Sequence, residues 1–277
     1  MAAGTSTRKS EQRPPEPMSD SSLIIISLLL VLLFLAAREL LRQYLRRRQR
    51  NLFSPWPVKR VRLEEFDPVF ERGPLGPSRE TEVRLILGGP KGLPGGTSDY
   101  EAWILAVLAR RAKVMFEFGT CTGRTTYLWA RNSPPDARIH TITLPPEGTG
   151  EYRADGDDHA GATRDALRES VFDRFYYSGT PEEAKVHQIF GDSKSFDESE
   201  LEGQCDLVFI DGSHAYSYVL SDSEKALRMV RPGGIILWHD YRGPRGAPDV
   251  YRALNELNRR LPLVHIRDTS LVAYRHG

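Results

Sequence analysis

Apolar and polar positions follow three different rhythms along this chain. A block of apolar residues, "LIIISLLLVLLFLAA" from Leu23 to Ala37, lies within seventeen uncharged residues bounded by Asp20 and Arg38. From residue 51 to 97 no rhythm holds, because "SPWPVKR", "ERGPLGPS" and "LGGPKGLPGG" supply the Pro and Gly that interrupt regular structure. From Ser98 onward the pattern is periodic. "SDYEAWILAVLARRA" opens on the potential cap Ser98, places Glu101 three residues later as in a capping box, and repeats apolar residues at helical spacing. Apolar runs of strand length follow at Val114 to Phe118, Ala137 to Leu144, Val186 to Phe190, Asp206 to Ile210 and Gly234 to Trp238. The helical stretches "TTYLWARN", "RDALRESVFDRF" and "SYVLSDSEKALRMV" separate them. Strands of this character alternating with helices predict a doubly wound, mostly parallel α/β sheet covered on both faces. The end departs from it: "LVHIRDTSLVAYR" reads as two strands joined by a short polar turn, which pair antiparallel if adjacent.

Composition and charge sharpen this picture at the N-terminus. The 277 residues, 40% hydrophobic, suffice for one full-sized core. Residues 1 to 50 carry nine Lys/Arg against four Asp/Glu, so the net +1 of the whole chain leaves −4 on the remainder, a balance that excludes nucleic acid as a partner by charge. The apolar block is at the lower limit of the ~17–25 residues that span a bilayer. Arg38, Arg42, Arg46, Arg47, Arg48 and Arg50 crowd its C-terminal flank, and positive charge is retained on the cytoplasmic side. The expected organisation is a disordered tail over 1–20, a transmembrane helix over 21–37, a basic juxtamembrane segment over 38–50, a linker packing onto the domain over 51–97, and the main domain over 98–277. That places the protein in the membrane, single-pass, with the domain in the cytoplasm. Residues 145–179 form a lid-like insertion, too long for an ordinary strand connection. Cys121 and Cys205 lack zinc spacing and read as small buried residues.

Chemistry is concentrated where strands end. "VMFEFGTCTGRTTYLWA" is a strand, a glycine turn and a helix, with Glu117, Gly119 and Gly123 spaced ExGxxxG, a loop that lets a ligand approach the backbone near a helix N-terminus. A phosphate-binding P-loop requires Gly-Lys-Ser/Thr, but Arg124 follows Gly123; a dinucleotide fingerprint requires glycine at 121 and 124. S-adenosylmethionine is the cofactor left: its ammonium suits an acidic strand end, and its adenosine needs no phosphate cradle.

"FEFGTCTGRTT", "FGDS" (Phe190 to Ser193), "DLVFIDGSH" and "RPGGIILWHDY" resemble the successive strand-end motifs of class I S-adenosylmethionine-dependent methyltransferases, over about Gly95 to Arg275. The resemblance implies a Rossmann-like sheet of seven strands with a terminal antiparallel strand. It also implies that Glu117, Gly119, Thr120 and Gly123 line the methionine end of the cofactor, and that Asp192 and Ser193 lie near adenine. The family usually ends its second strand in an acid for the ribose hydroxyls. Here "IHTITLPPE" has Thr143, able to make one hydroxyl contact, with Glu147 able to reach back.

"FIDGSH" and "ILWHDY" end neighbouring strands, so Asp211, His214, His239 and Asp240 are expected to converge in one crevice. The layout resembles the magnesium-dependent O-methyltransferases, including catechol-type enzymes and those that methylate macrolide sugars. Within that group an acid at the position of Asp211 and a pair at the positions of His239 and Asp240 hold the metal, and a histidine matching His214 is the base. His239 stands where the group has an acid or amide, so the ion implied is softer than magnesium, or absent. Methyl transfer from a sulfonium is an in-line displacement, and a hydroxyl acceptor needs a base near neutrality, which histidine supplies untuned. The expected function is methylation of an oxygen on a sugar or other small hydroxyl compound, lipid-linked if the anchor sets the location. Alternatives are metal-free N- or C-methylation on the same fold, and a tethered binding module without catalysis.

Overall fold

The apolar runs become β4 (Val114–Phe118), β5 (Arg138–Thr143), β6 (Val186–Phe190), β7 (Cys205–Ile210) and β8 (Val230–Trp238), all parallel where they pair. The terminal "LVHIRDTSLVAYR" gives β9 (Val264–Ile266) and β10 (Val272–Arg275), and β10 is antiparallel to both β8 and β9. The computed structural model describes residues 20–47, 56–88, 96–148, 150 and 152–277, and the chain divides into two compact units, Met1–Leu52 and Phe53–Gly277.

Alternation at period two assigns the sheet's faces. Phe116, Val208, Ile236 and Trp238 face α6 (Tyr216–Met229) and α7 (Pro248–Leu257). Met115, Ile139, Leu207 and Leu237 face α3 (Asp99–Ala109) and α4 (Arg124–Asn132). The capping box at Ser98 and Glu101 is present in full.

The expected linker departs from its sequence reading, because part of it completes the sheet. β1 (Lys59–Val61) pairs parallel with β9 and makes the seven expected strands eight, in the order β1-β9-β10-β8-β7-β4-β5-β6. The short helix α2 (Leu63–Phe66) and a two-stranded ribbon, β2 (Arg72–Gly73) with β3 (Gly76–Pro77), follow. Val58, Leu63 and Phe70 are buried, and Trp56 packs on Tyr241 and Tyr251 with ring centroids 5.1 and 5.8 Å apart. Arg124 is itself buried and donates to the carbonyls of Thr97 and Ile86, tying the segment over α4. An edge strand of three residues flanked by prolines leaves no periodic signal, so the sequence could not show it.

In the N-terminal unit, α1 spans Asp20–Arg47, and its side chains from Ile25 to Leu35 are exposed. The transmembrane expectation over 21–37 is corrected here: among the described residues no helix is long and apolar enough to cross a membrane. The seventeen uncharged residues before Arg38 rise only about 26 Å at 1.5 Å per residue, short of a core of about 30 Å. Except for Asp20, the expected tail lies outside the described residues, as do Arg48 to Arg50 at the end of the basic segment.

The lid contains α5 (Ala160–Glu169) and is pinned to α6 and α7. Tyr152 stacks on Tyr218 at 4.5 Å, Asp158 accepts from the Ser217 amide at 2.8 Å, and Asp249 accepts from the His159 amide at 2.7 Å.

Candidate active site

Two concavities open at the carboxyl ends of β4, β5, β7 and β8, where the strand order reverses around β4. The first, a narrow crevice, runs along the glycine loop, with Gly119, Thr143, Asp192, Ser193 and Asp211 in its lining. Gly119 has φ of 100°, and a Cβ there would stand 2.3 Å from the Asp211 carbonyl oxygen, so only glycine lets the loop lie against the end of β7. Asp192 is buried and accepts from the Tyr218 hydroxyl at 3.0 Å and the Lys194 amide at 3.0 Å.

Glu117, Thr120 and Gly123, expected at the methionine end, lie behind the crevice wall. Glu117 is fully buried and accepts from the hydroxyls of Thr141, at 2.8 Å, and Thr126. Burial, reinforced by the charge of Asp211, pushes its pKa up to about 8 despite those hydroxyls. Thr120 bonds to Thr141 at 2.8 Å. Gly123, with φ of 73°, caps α4 against Phe175 and Tyr177. Glu147 is not part of the lining, so Thr143 stands alone at the ribose position.

The second cavity, about 620 Å³, is lined from the ends of β7 and β8, from α5 and from the loop that leads into α7. Cys121, Glu169 and Asp211 line both concavities, which adjoin at these three residues.

Beneath the junction lies His239, fully buried between acids on both sides. Nδ1 is 3.0 Å from Asp211 Oδ1 and 3.0 Å from Asp240 Oδ1, while Nε2 is 3.4 Å from Glu101 Oε2. Burial alone would lower its pKa, but the charges of Asp211 and Asp240 override that and hold it well above 6.5, as an imidazolium. Burial likewise pushes Glu101 upward, yet His239 and the amides of Ser270 and Ser98 bring it below the usual carboxylate range. His214 is half-buried, with Nε2 2.8 Å from Asp240 Oδ2. Burial lowers its pKa and the bond to Asp240 raises it, with a net upward shift. Asp240 has φ of 62° and lies 2.5 Å from the Arg242 guanidinium.

The expected ligand set Asp211, His239, Asp240 is therefore altered: both ring nitrogens of His239 face carboxylates. Asp211, His214 and Asp240 instead bring one ligand atom each within 4.8 Å of one another. Two carboxylates and an imidazole suit a divalent ion, although Asp240 Oδ1 already lies 3.0 Å from His239 Nδ1 and 2.5 Å from the Arg242 guanidinium.

Sequence reasoning brought Asp211, His214, His239 and Asp240 together correctly. It missed Glu101, whose capping role concealed its second contact, and also Arg242, Glu169 and Tyr152. Tyr176 and Tyr177, in the same 145–179 insertion, line neither cavity, whereas Tyr152 lines the crevice.

Fold and crevice together define a doubly wound α/β protein with its ligand site at the switch point. A family model described as a methyltransferase domain matches residues 116–241. Among curated proteins, an uncharacterised protein of Acanthamoeba polyphaga mimivirus is 38% identical over 52 residues, 19% of this chain, and the match spans about a quarter (24%) of that protein. Similar solved structures include the O-methyltransferase TomG of Streptomyces achromogenes, involved in tomaymycin synthesis and bound to S-adenosylmethionine. It is 19% identical, covering 70% of this chain and 92% of that one, with a TM-score of 0.45. A putative caffeoyl-CoA O-methyltransferase of Staphylococcus aureus is 14% identical, covering 70% and 86%, with a TM-score of 0.47. An S-adenosylhomocysteine-bound methyltransferase of Podospora anserina is 19% identical, covering 66% and 80%, with a TM-score of 0.46. Residues 116–241, a little under half of the chain, are thus similar to a methyltransferase domain, and two of these solved structures hold S-adenosylmethionine or S-adenosylhomocysteine.

Proposed function

We propose that the protein is an S-adenosylmethionine-dependent methyltransferase that methylates an oxygen of a small hydroxyl-bearing acceptor, a sugar or similar compound, with His214 as general base. The observation that carries this is the 2.8 Å contact of His214 Nε2 with Asp240 Oδ2 in the second cavity, which Asp211 joins to the cofactor crevice. Asp240 fixes the imidazole so that Nε2–H donates to the carboxylate and Nδ1 is left to take a proton. The acceptor oxygen loses its proton to His214 and attacks the methyl carbon. The carbon–sulfur bond breaks, and its electron pair leaves with sulfur as the neutral thioether. His239 neutralises Asp211 and Asp240 from below, so the acids need no metal to coexist.

A second reading, favoured by the convergence of Asp211, His214 and Asp240, is that these three hold a divalent ion that would acidify the hydroxyl. His214 would then be a ligand and not the base. EDTA treatment with metal add-back separates the two: activity unchanged by chelation supports the first.

His214→Ala should lower kcat by about 10²–10⁴ while S-adenosylhomocysteine affinity, measured by calorimetry, stays within about twofold. Parallel loss of both would reassign His214 to structure. Product analysis showing methyl on nitrogen or carbon would sink the oxygen reading.

The exposed apolar surface of α1 from Ile25 to Leu35 supports a membrane-associated location with the catalytic unit on the cytoplasmic side, and with it a lipid-linked acceptor. Flotation of the full chain with liposomes tests this; a chain that stays at the bottom of the gradient, as a chain lacking residues 20–47 should, would exclude it.

A further inference from the structure

The second cavity holds more charge than methyl transfer requires. Arg164 and Arg168 reach it from α5, and Arg242 and Arg245 from the loop before α7. Its acids are nearly all committed. Asp165 lies 3.6 Å from Arg168, Asp211 is held by His239, and Asp240 by His214, His239 and Arg242. Asp249 accepts through Oδ2 from the backbone amides of His159 at 2.7 Å and Tyr216 at 3.3 Å, which ties it to the start of α5 and of α6. Glu169, at the junction, is pushed upward in pKa by burial.

On the other side of this ledger, Arg164 and Arg245 have no carboxylate within ion-pair distance among the described residues. Arg164 also stands one turn from Arg168 on the same face of α5, a like-charge pair that disfavours the helix unless an anion lies between or beside the two. The N-terminal ends of α5 and α7 open onto the cavity as well, adding partial positive charge from a third source. Planar guanidiniums on a cavity wall are the groups that recognise carboxylate and phosphate oxygens in bidentate fashion.

We propose that the methyl acceptor carries a phosphate or carboxylate group, and that Arg164 and Arg245 bind that anion while the acceptor hydroxyl lies by Asp211 and His214. The proposal rests on the oxygen-methylation reading for the hydroxyl and on the cavity alone for the anion. At about 620 Å³ the cavity lies within the ~300–1,000 Å³ of ordinary small-molecule sites, enough for a small hydroxyl compound together with its anionic group.

The test uses the full chain saturated with S-adenosylhomocysteine and titrated by calorimetry with inorganic phosphate and, separately, with acetate. Saturable binding of one of them is expected, and which one binds tells phosphate from carboxylate. In the double variant R164Q/R245Q that affinity should fall by about tenfold or more, with S-adenosylhomocysteine affinity unchanged as the check on folding. No saturable binding of either probe, or equal affinity in the double variant, overturns the proposal. In a second arm, matched acceptors compete for radiolabelled methyl: glucose against glucose 6-phosphate, and catechol against 3,4-dihydroxybenzoate. Preference for the charged member that collapses in R164Q/R245Q supports the anion site. Equal methylation of both members sinks the proposal and leaves the oxygen reading standing. Anion binding lost in the double variant, with no hydroxyl methylated in either pair, keeps the anion site and sinks the oxygen reading.

Discussion

The cofactor crevice and the acceptor cavity share Cys121, Glu169 and Asp211 and are built by opposite means. The crevice is formed largely by backbone at Gly119, Gly191 and Gly212, and the acid beneath its loop, Glu117, is held near neutrality by burial. The cavity is formed by charged side chains, and the acid beneath it, Glu101, is held ionised by a buried imidazolium. Both glutamates are buried, so burial does not set their charge; the partner does. Two hydroxyl donors leave buried Glu117 with a raised pKa, whereas His239 and four backbone or side-chain donors hold Glu101 ionised. A wall whose charged lining is acidic, at Asp192 and Asp211, suits a ligand that brings positive charge, and a wall of mixed charge suits an acceptor that must be oriented and deprotonated.

The contrast predicts where each region breaks. His239→Leu removes the one cation shared by Glu101, Asp211 and Asp240, and should destabilise the fold by about 3–5 kcal/mol in urea denaturation; a loss under about 1 kcal/mol would mean that the acids are neutral. Gly119→Ala attacks the other region through the backbone: strain of about 1–3 kcal/mol, added to the clash with the Asp211 carbonyl, should reduce S-adenosylhomocysteine affinity by at least about tenfold. Unchanged affinity would show that the loop has another arrangement.

Glu117 gives a pH test. Its folded pKa of about 8 lies above the ordinary 4.5, so between these values the folded state binds more protons than the unfolded one. Stability should therefore fall as pH rises through that window. Glu117→Gln should remove that slope, read from urea midpoints at about pH 5 and about pH 8, and a slope that survives would assign it to other groups. Thr143→Asp is expected to have the smallest effect, a gain in S-adenosylhomocysteine affinity of about tenfold or less from a carboxylate facing the ribose hydroxyls. No gain would place the ribose elsewhere.

Most of the crevice was legible in the sequence because each of its parts is local. A strand, a positive-φ glycine and a helix start are one continuous word, and "FGDS" and "FIDGSH" each end a strand at a place that apolar spacing predicts. Legibility failed where a residue serves two partners. Glu101 reads as a capping residue and is one, yet it also pairs His239, 138 positions away. His239 reads as a ligand because its neighbour is acidic, but three carboxylates from three elements occupy its ring nitrogens. Arg164 and Arg245 belong to no motif at all, and only the packing of the lid against the loop before α7 sets them around one cavity.

The sequence by itself determined the alternation of strands and helices, the antiparallel finish, the glycine turn and the convergence of four polar groups at neighbouring strand ends. All of these follow from periodicity and backbone conformation, which are properties of short stretches. Only the tertiary structure decided that residues 59–61 form an eighth strand, that Glu117 stays behind the wall, and that His239 bridges acids as an imidazolium. Edge pairing, burial and protonation depend on which distant group arrives alongside, and that is set by the packing of the whole domain.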